Sequence, residues 1–309
     1  MAHTDSGNKG TVQTTGHAWD EGTLQEYNNP LPRWWLWSFY ATVVFAVIYW
    51  FMYPAWPVGQ DYTKGVLKKI TYTVDGEEVT THWNTRARLV KELQEGEGAV
   101  KLRQHLEQVA GADFDTILAD PGMMDFTRKV ARVLFTDNCA PCHGMGGEGK
   151  VGFFPNLVDD DWLWGGSLDD IRTTITDGRR GFMPAFARTF DEAQLDAVAE
   201  YVLGLSGHEV DAEKAREGDR IFNGETGGCY YCHTHEGTGM KSLGSANLTD
   251  KVWTIADVPA AASMDEKREA VKRVIRDGVS RVMPAWKERL SANEIKLLTI
   301  YTYDLGGGK

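Results

Sequence analysis

The chain has 309 residues, room for two domains of ordinary size, and with 42% hydrophobic and 25% charged residues its make-up is that of a folded protein. A formal net charge of −11 argues against nucleic acid as a partner, because phosphate would be repelled. Residues 1–58 hold Lys9 and Arg33 against Asp5, Asp20, Glu21 and Glu26, a net of −2, which leaves −9 for the rest; that acidity suits a soluble domain.

From Trp34 the chain reads WWLWSFYATVVFAVIYWFMYPAW, with no charge between Arg33 and Asp61. A helix from Trp34 to Tyr53 would rise about 30 Å, the thickness of a bilayer's hydrocarbon core. Trp34, Trp35 and Trp37 at one end, and Trp50, Tyr53 and Trp56 at the other, read as two interfacial belts, and Pro54 and Pro57 stop the helix. A cleaved leader would start earlier, run shorter and be followed by small residues. The expectation is a short segment 1–33, one transmembrane helix in 34–57 within a lipid bilayer, and a soluble remainder.

Residues 58–125 read as a spacer. Ile70, Tyr72, Val74 and Val79 around Asp75-Gly76 predict a β-hairpin. Two charged amphipathic helices follow, broken near Gly96 and Gly98. His82 and His105 are read as surface residues.

An internal repeat then sets in. Cys139-Ala-Pro-Cys-His143 recurs as Cys229-Tyr-Tyr-Cys-His233, ninety positions on. Asn156-Leu157 matches Asn247-Leu248 and Trp162 matches Trp253, each offset by 91, while Asp177 to Phe186 matches Asp277 to Trp286, offset by 100. The second copy therefore holds a nine-residue insertion. A helix precedes each motif, near 126–138 and 212–223, and another closes each repeat from about 190 and 290. Asp191 with Gln194 and Ser291 with Glu294 read as capping boxes. The repeats are expected as two domains, 126–207 and 208–309.

Two thiols separated by two residues can add to both vinyl groups of a haem, and the histidine that follows falls on the iron. A zinc ribbon would bring two CxxC knuckles to one metal, which the ninety-residue gap and the histidines fit poorly. Cys139, Cys142, Cys229 and Cys232 are thus the attachment residues for two covalent c haems, with His143 and His233 as proximal ligands. Met183-Pro184 and Met283-Pro284 stand at equivalent places, and a thioether opposite histidine raises the potential. Met183 and Met283 are read as the distal ligands, each for the haem of its own repeat. The carbonyl of Pro155, and of Ala246 at the aligned place, can hold each imidazole's other N–H. Trp162, Trp164 and Trp253 are read as packing on haem edges or in the core; Arg179, Arg180 and Arg281 as a solvated face, with haem propionates as their alternative partners; His208 and His235 as surface. Two six-coordinate irons leave no position for a substrate, so the chain holds no catalytic centre and works as a relay.

The single span, the spacer and the two motifs, with NCAPCHG, PNLVDDDWLWGG and MPAF…MPAW, resemble the dihaem subunit III, the P subunit, of cbb3-type cytochrome c oxidase. The resemblance covers residues 33–309. It implies a mainly α fold, one N-terminal transmembrane helix followed by two tandem class I cytochrome c domains. It further implies that the chain accepts electrons from a donor cytochrome c and relays them toward a catalytic haem–copper oxidase subunit. A monohaem cytochrome subunit would stand beside it in a complex that reduces oxygen to water. The hairpin at 70–83 and the absence of WLWGG from the second repeat depart from that pattern. A free membrane-anchored dihaem carrier, or the cytochrome subunit of a periplasmic dehydrogenase, is the other reading. Lys64, Lys68 and Lys69 beyond the span, against Arg33 before it, would by charge place the C-terminal side in the cytoplasm. Haem attachment places it instead in the periplasm of a bacterial inner membrane, and the expectation follows the haem.

Overall fold

The structure, a computed structural model, describes residues 13–306. It divides into two compact units, Met1–Lys101 and Leu102–Lys309.

The first unit begins with a hairpin that sequence periodicity does not announce, β1 (Thr14–Trp19) against β2 (Leu24–Tyr27). Helix α1 (Arg33–Met52) buries none of its residues. Among the described residues it is the one helix long and apolar enough to cross a membrane, with a mean hydropathy of 1.6. Beyond it the aromatic belt gathers: Tyr49 stacks on Tyr53 at 4.4 Å and Trp50 meets Trp56 at 4.7 Å. A short ladder of β3 (Pro57–Val58) and β4 (Asp61–Tyr62) leads to the expected hairpin, β5 (Ile70–Val74) paired with β6 (Glu77–Thr81). Its turn residues Asp75 and Gly76 sit at φ +50° and +86°, the left-handed pair whose twist matches that of the flanking strands. Helix α2 (Thr85–Glu95), capped by the Asn84 side chain, lies along this hairpin, where Gln94 donates to the Thr73 carbonyl at 2.6 Å. His82 is half-buried rather than free on the surface, its Nε2 3.1 Å from the Tyr62 hydroxyl.

Gly96 ends α2, and α3 (Glu97–Gly111) follows. In the second unit, α4 (Phe114–Ala119) and α5 (Pro121–Asn138) start on Asp113 and Asp120, whose carboxylates take the first free backbone N–H groups. One-turn helix α6 (Ala140–His143) carries the first motif; α7 (Leu168–Asp177), β7 (Arg179–Met183) and α8 (Glu192–Leu205) complete the first repeat. The second repeat runs α9 (Ala212–Phe222), α10 (Tyr230–His233), α11 (Met264–Asp277), β8 (Val279–Met283) and α12 (Ala292–Asp304). Both expected capping boxes are present, at Asp191/Gln194 and Ser291/Glu294.

Helices of the two repeats pack across the junction at 207–208. Six residues separate α8 from α9, and short connections favour antiparallel neighbours. Accordingly α8, the closing helix of the first repeat, packs on α9 and α11 of the second: Leu195, Val198, Val202 and Leu203 bury with Ile221, Phe222, Val271 and Ile275. The approach is close enough that a Cβ on Gly218 of α9 would lie 2.0 Å from the Ala197 carbonyl oxygen. Reciprocally, α12 closes the first repeat. Ile295 and Leu298 bury with Phe135, Ile171 and Ile175, and Leu297 and Ile300 with Val109, Ile117 and Ala131. The two repeats thus exchange their closing helices.

Ion pairs cross the same boundary. Glu200 of α8, 1% exposed, meets Arg268 of α11 at 2.6 Å, and Lys272 reaches Asp196 at 2.6 Å and Glu192 at 3.0 Å. On the other side Arg128 of α5 holds Asp304 of α12 at 2.6 Å. The two Met-Pro segments join as one antiparallel ribbon, Arg179 opposite Met283 and Met183 opposite Val279.

Candidate haem centres

Each CxxCH motif is a single helical turn. In the first, the amides of Cys142 and His143 return to the Cys139 carbonyl at 3.1 and 2.9 Å. In the second the same bonds run from Cys232 and His233 to Cys229, again at 3.1 and 2.9 Å. The i, i+3 spacing puts both sulfurs of a motif on one side of the turn, as two vinyl groups of one ring require. None of the four cysteines is in a disulfide, and burial pushes the thiols of Cys139 and Cys229 up to about 11.

The chain leaves each turn through a left-handed residue, Gly144 at φ +79° and Thr234 at φ +65°. Glycine tolerates this; threonine does not without support, and Thr234 Oγ1 lies 2.9 Å from Thr238 Oγ1 and accepts the Thr238 amide at 3.1 Å.

His143 Nδ1 is 3.0 Å from the Pro155 carbonyl and His233 Nδ1 is 2.9 Å from that of Ala246. A carbonyl only accepts, so Nδ1 carries the hydrogen in both rings and Nε2 keeps its lone pair for a metal. Burial lowers both imidazoles below the ordinary histidine range, which favours the neutral, ligating form.

The methionines pair crosswise. Met183 packs in the cluster that holds Cys229, Tyr230 and Trp253; Met283 packs in the cluster that holds Cys139, Leu157 and Trp162. Each methionine is thus seated beside the motif of the other repeat rather than beside its own. The cause is local: after Met183, the amides of Phe186 and Ala187 bond to the carbonyls of Ile275 and Arg276 at the end of α11 (3.1 Å each). After Met283, Trp286 and Lys287 bond to Ile175 and Thr176 at the end of α7 (3.1 and 3.3 Å). Gly178 and Gly278 permit this seating. A Cβ on either would lie 2.4 Å from the Met283 oxygen or 2.6 Å from the Met183 oxygen. Sequence reading passed over both, although the Asp-Gly pairs 177–178 and 277–278 stand at matching places in the repeats.

Both motifs and both methionines line one continuous cavity of about 660 Å³ with Trp162, Trp164 and Trp253. Arg179 and Arg281 serve this wall and are more than a solvated face. The Arg179 guanidinium lies 4.9 Å over the Trp164 ring and its Nε donates to Thr174 at 2.8 Å; Arg281 donates to the Gly152 carbonyl. Arg180 is exposed at the rim of the same cavity. His235 stays exposed, stacked on Tyr230 at 4.4 Å, and His105 is exposed against Phe126 at 5.2 Å. His208 is half-buried, 3.0 Å from Ser206 Oγ.

The donor set fits haem c. Each motif offers two thiols on one turn and an imidazole with Nε2 free, and each has a thioether packed in the cluster of its first cysteine. Cys139 and Cys229 lie in different clusters, and among the described residues no three His, Cys, Asp or Glu gather as a metal site.

Comparison with known proteins agrees. Residues 11–60 match the family described as the N-terminal domain of cytochrome oxidase-cbb3, FixP, and residues 128–202 and 213–301 match cytochrome c oxidase, cbb3-type, subunit III. The cbb3-type cytochrome c oxidase subunit FixP of Azorhizobium caulinodans is 42% identical over 97% of this chain and 95% of its own. Subunit CcoP of Cereibacter sphaeroides is 36% identical over 97% of both chains. The FixP subunit of Bradyrhizobium diazoefficiens is 38% identical over 96% of this chain and 95% of its own. The chain belongs to this family. As a member of the cbb3 subunit III family it is a dihaem c-type electron-transfer subunit, anchored in a membrane and associated with other oxidase subunits.

Proposed function

We propose that the chain holds two haems c with exchanged distal ligands and relays electrons from a donor cytochrome c toward the haem–copper subunit of its oxidase. Cys139, Cys142 and His143 would hold one haem with Met283 opposite; Cys229, Cys232 and His233 would hold the other with Met183 opposite. The observation that carries this is the make-up of the two buried clusters, each joining one motif to the methionine of the other repeat.

Bound haem supplies a one-electron change at iron. The protein supplies the rest. Pro155 and Ala246 fix the tautomer and plane of each imidazole. With haem bound, the Met183 and Met283 thioethers would favour its ferrous state and leave no place there for a substrate. On the ribbon, Met183 and Met283 share one face, four residues apart, which is about 13 Å at the rise of a strand. Both iron sites thus hang from one rigid hydrogen-bonded element, and transfer between them needs no domain motion.

Haem attachment supports a periplasmic position for residues 58–309 in a bacterial inner membrane, with 1–33 in the cytoplasm. Of the three lysines that point the other way, Lys64 is already paired with Asp61. The monohaem cytochrome and the catalytic haem–copper subunit are the proposed neighbours.

The test uses a chain carrying Cys139→Ala and Cys142→Ala, which keeps only the second haem. Substituting Met183 by Ala there abolishes the sulfur-to-iron charge-transfer band, while Met283→Ala leaves it. The reverse outcome would restore ligation within each repeat.

A further inference from the structure

One carboxylate on the cavity wall has no task in the relay. Asp161 lines the cavity, and its Oδ2 is shut off from solvent with no hydrogen-bond partner. Its backbone position is fixed, because the Asp161 amide donates to Asp159 Oδ1 at 3.2 Å. The second repeat builds the same turn from Val252, whose amide donates to Asp250 Oδ1 at 2.9 Å. The two loops are structurally equivalent, and only the first places an acid at this spot.

The charged groups facing Asp161 are acidic: Asp159 on its own loop and Asp250 from the loop of the second repeat. Of the cationic side chains on the cavity wall, Arg179 is engaged on Thr174 and Trp164 and Arg281 on the Gly152 carbonyl, while Arg180 is exposed on the ribbon and is not among the groups that act on Asp161. Burial, then the charges of Asp250 and Asp159, push the Asp161 carboxyl up to about 6. The next residue, Trp162, packs in the cluster of Cys139 and Met283, so Asp161 belongs beside the first motif.

We propose that Asp161 is a redox-linked proton acceptor for the haem held by Cys139, Cys142 and His143. An electron from the donor cytochrome lowers the iron from ferric to ferrous and removes one positive charge from the site. The unpartnered Asp161 carboxylate, no longer balanced, takes one proton from solvent, and oxidation returns it. No other bond forms or breaks. The second haem, with Val252 at the equivalent place, lacks this response, so the two otherwise similar centres separate in potential as pH changes. This inference rests on haem attachment at the first motif and not on which methionine completes the site.

The experiment is a spectroelectrochemical titration of the full haem-loaded chain in detergent, over about two pH units on either side of 6. In the unaltered protein the midpoint of the first haem falls as pH rises, approaching a tenfold change in the reduction equilibrium per pH unit, ~59 mV for one electron; the second stays nearly flat. D161N removes the slope. Its first-haem midpoint matches the unaltered protein at the acid end and lies above it at the alkaline end, where the lost carboxylate no longer stabilises ferric iron. D161E restores the slope. The reduced-minus-oxidised infrared spectrum shows a protonated carboxyl band that D161N lacks. A slope that survives D161N, or a midpoint displaced equally at every pH, overturns the proposal. Haem content and the sulfur-to-iron band, measured on the same samples, report separately on attachment and ligation.

Discussion

Glu200 and Arg268 offer a quantitative test of the exchanged packing, because they join α8 of one repeat to α11 of the other. Glu200 is 1% exposed and Arg268 22% exposed, with 2.6 Å between Oε1 and Nε. Glu200 Oε2 also accepts the Asp211 amide at 3.2 Å, while Arg268 has a second partner in Asp265 at 2.7 Å. The pair is therefore asymmetric. Arg268→Ala strands a buried carboxylate with one weak donor, and breaking such a pair costs about 3–5 kcal/mol. The lower end applies here, since the Asp211 amide remains. Glu200→Gln keeps volume and an acceptor and leaves Arg268 its Asp265 and water, so it costs ~1–2 kcal/mol. In the double variant no charge is stranded. Glu200→Gln should then recover about 1–2 kcal/mol of the Arg268→Ala loss, reversing its sign between backgrounds. Urea unfolding of the haem-loaded chain in detergent, followed by circular dichroism, measures the four corners of the cycle. In thermal scans Arg268→Ala should lower Tm by roughly 6–12 °C. Equal destabilisation by Glu200→Gln in both backgrounds would refute the buried contact, and with it the seating of α8 on α11.

Two further outcomes are expected. Gly218→Ala should destabilise the protein by about 1–3 kcal/mol despite its better helix propensity, because the added carbon meets the Ala197 oxygen at 2.0 Å and forces α8 and α9 apart; urea titration reads this, and a neutral or stabilising result would deny the close crossing. An alkaline phosphatase reporter fused after Lys309 should be active, and one fused before Arg33 inactive; the opposite pattern would vindicate Lys64, Lys68 and Lys69 as the topological signal.

Chemistry carried by neighbours in sequence was legible before any coordinates. The CxxCH turns, the capping boxes, the hairpin at Asp75-Gly76 and the span read from Trp34 each depend on a few consecutive residues. Even the acceptor for His143 could be placed, since twelve residues of loop bring Pro155 back to it. The hairpin β1–β2 was not legible, because Thr14 to Tyr27 lacks an alternating apolar face and all its residues are exposed.

The sequence by itself carried two CxxCH motifs, the methionines proposed as their partners and one segment long and apolar enough to enter a membrane. Which methionine meets which motif was decided only in three dimensions. The repeats are similar enough that α8 and α12 each present a comparable apolar face to either copy, so composition and periodicity do not discriminate between them. The short link from Leu205 to Ala212, the glycine at 218 and the buried Glu200–Arg268 pair break that tie. They do so through backbone geometry and paired charge, quantities that exist only once the helices have met.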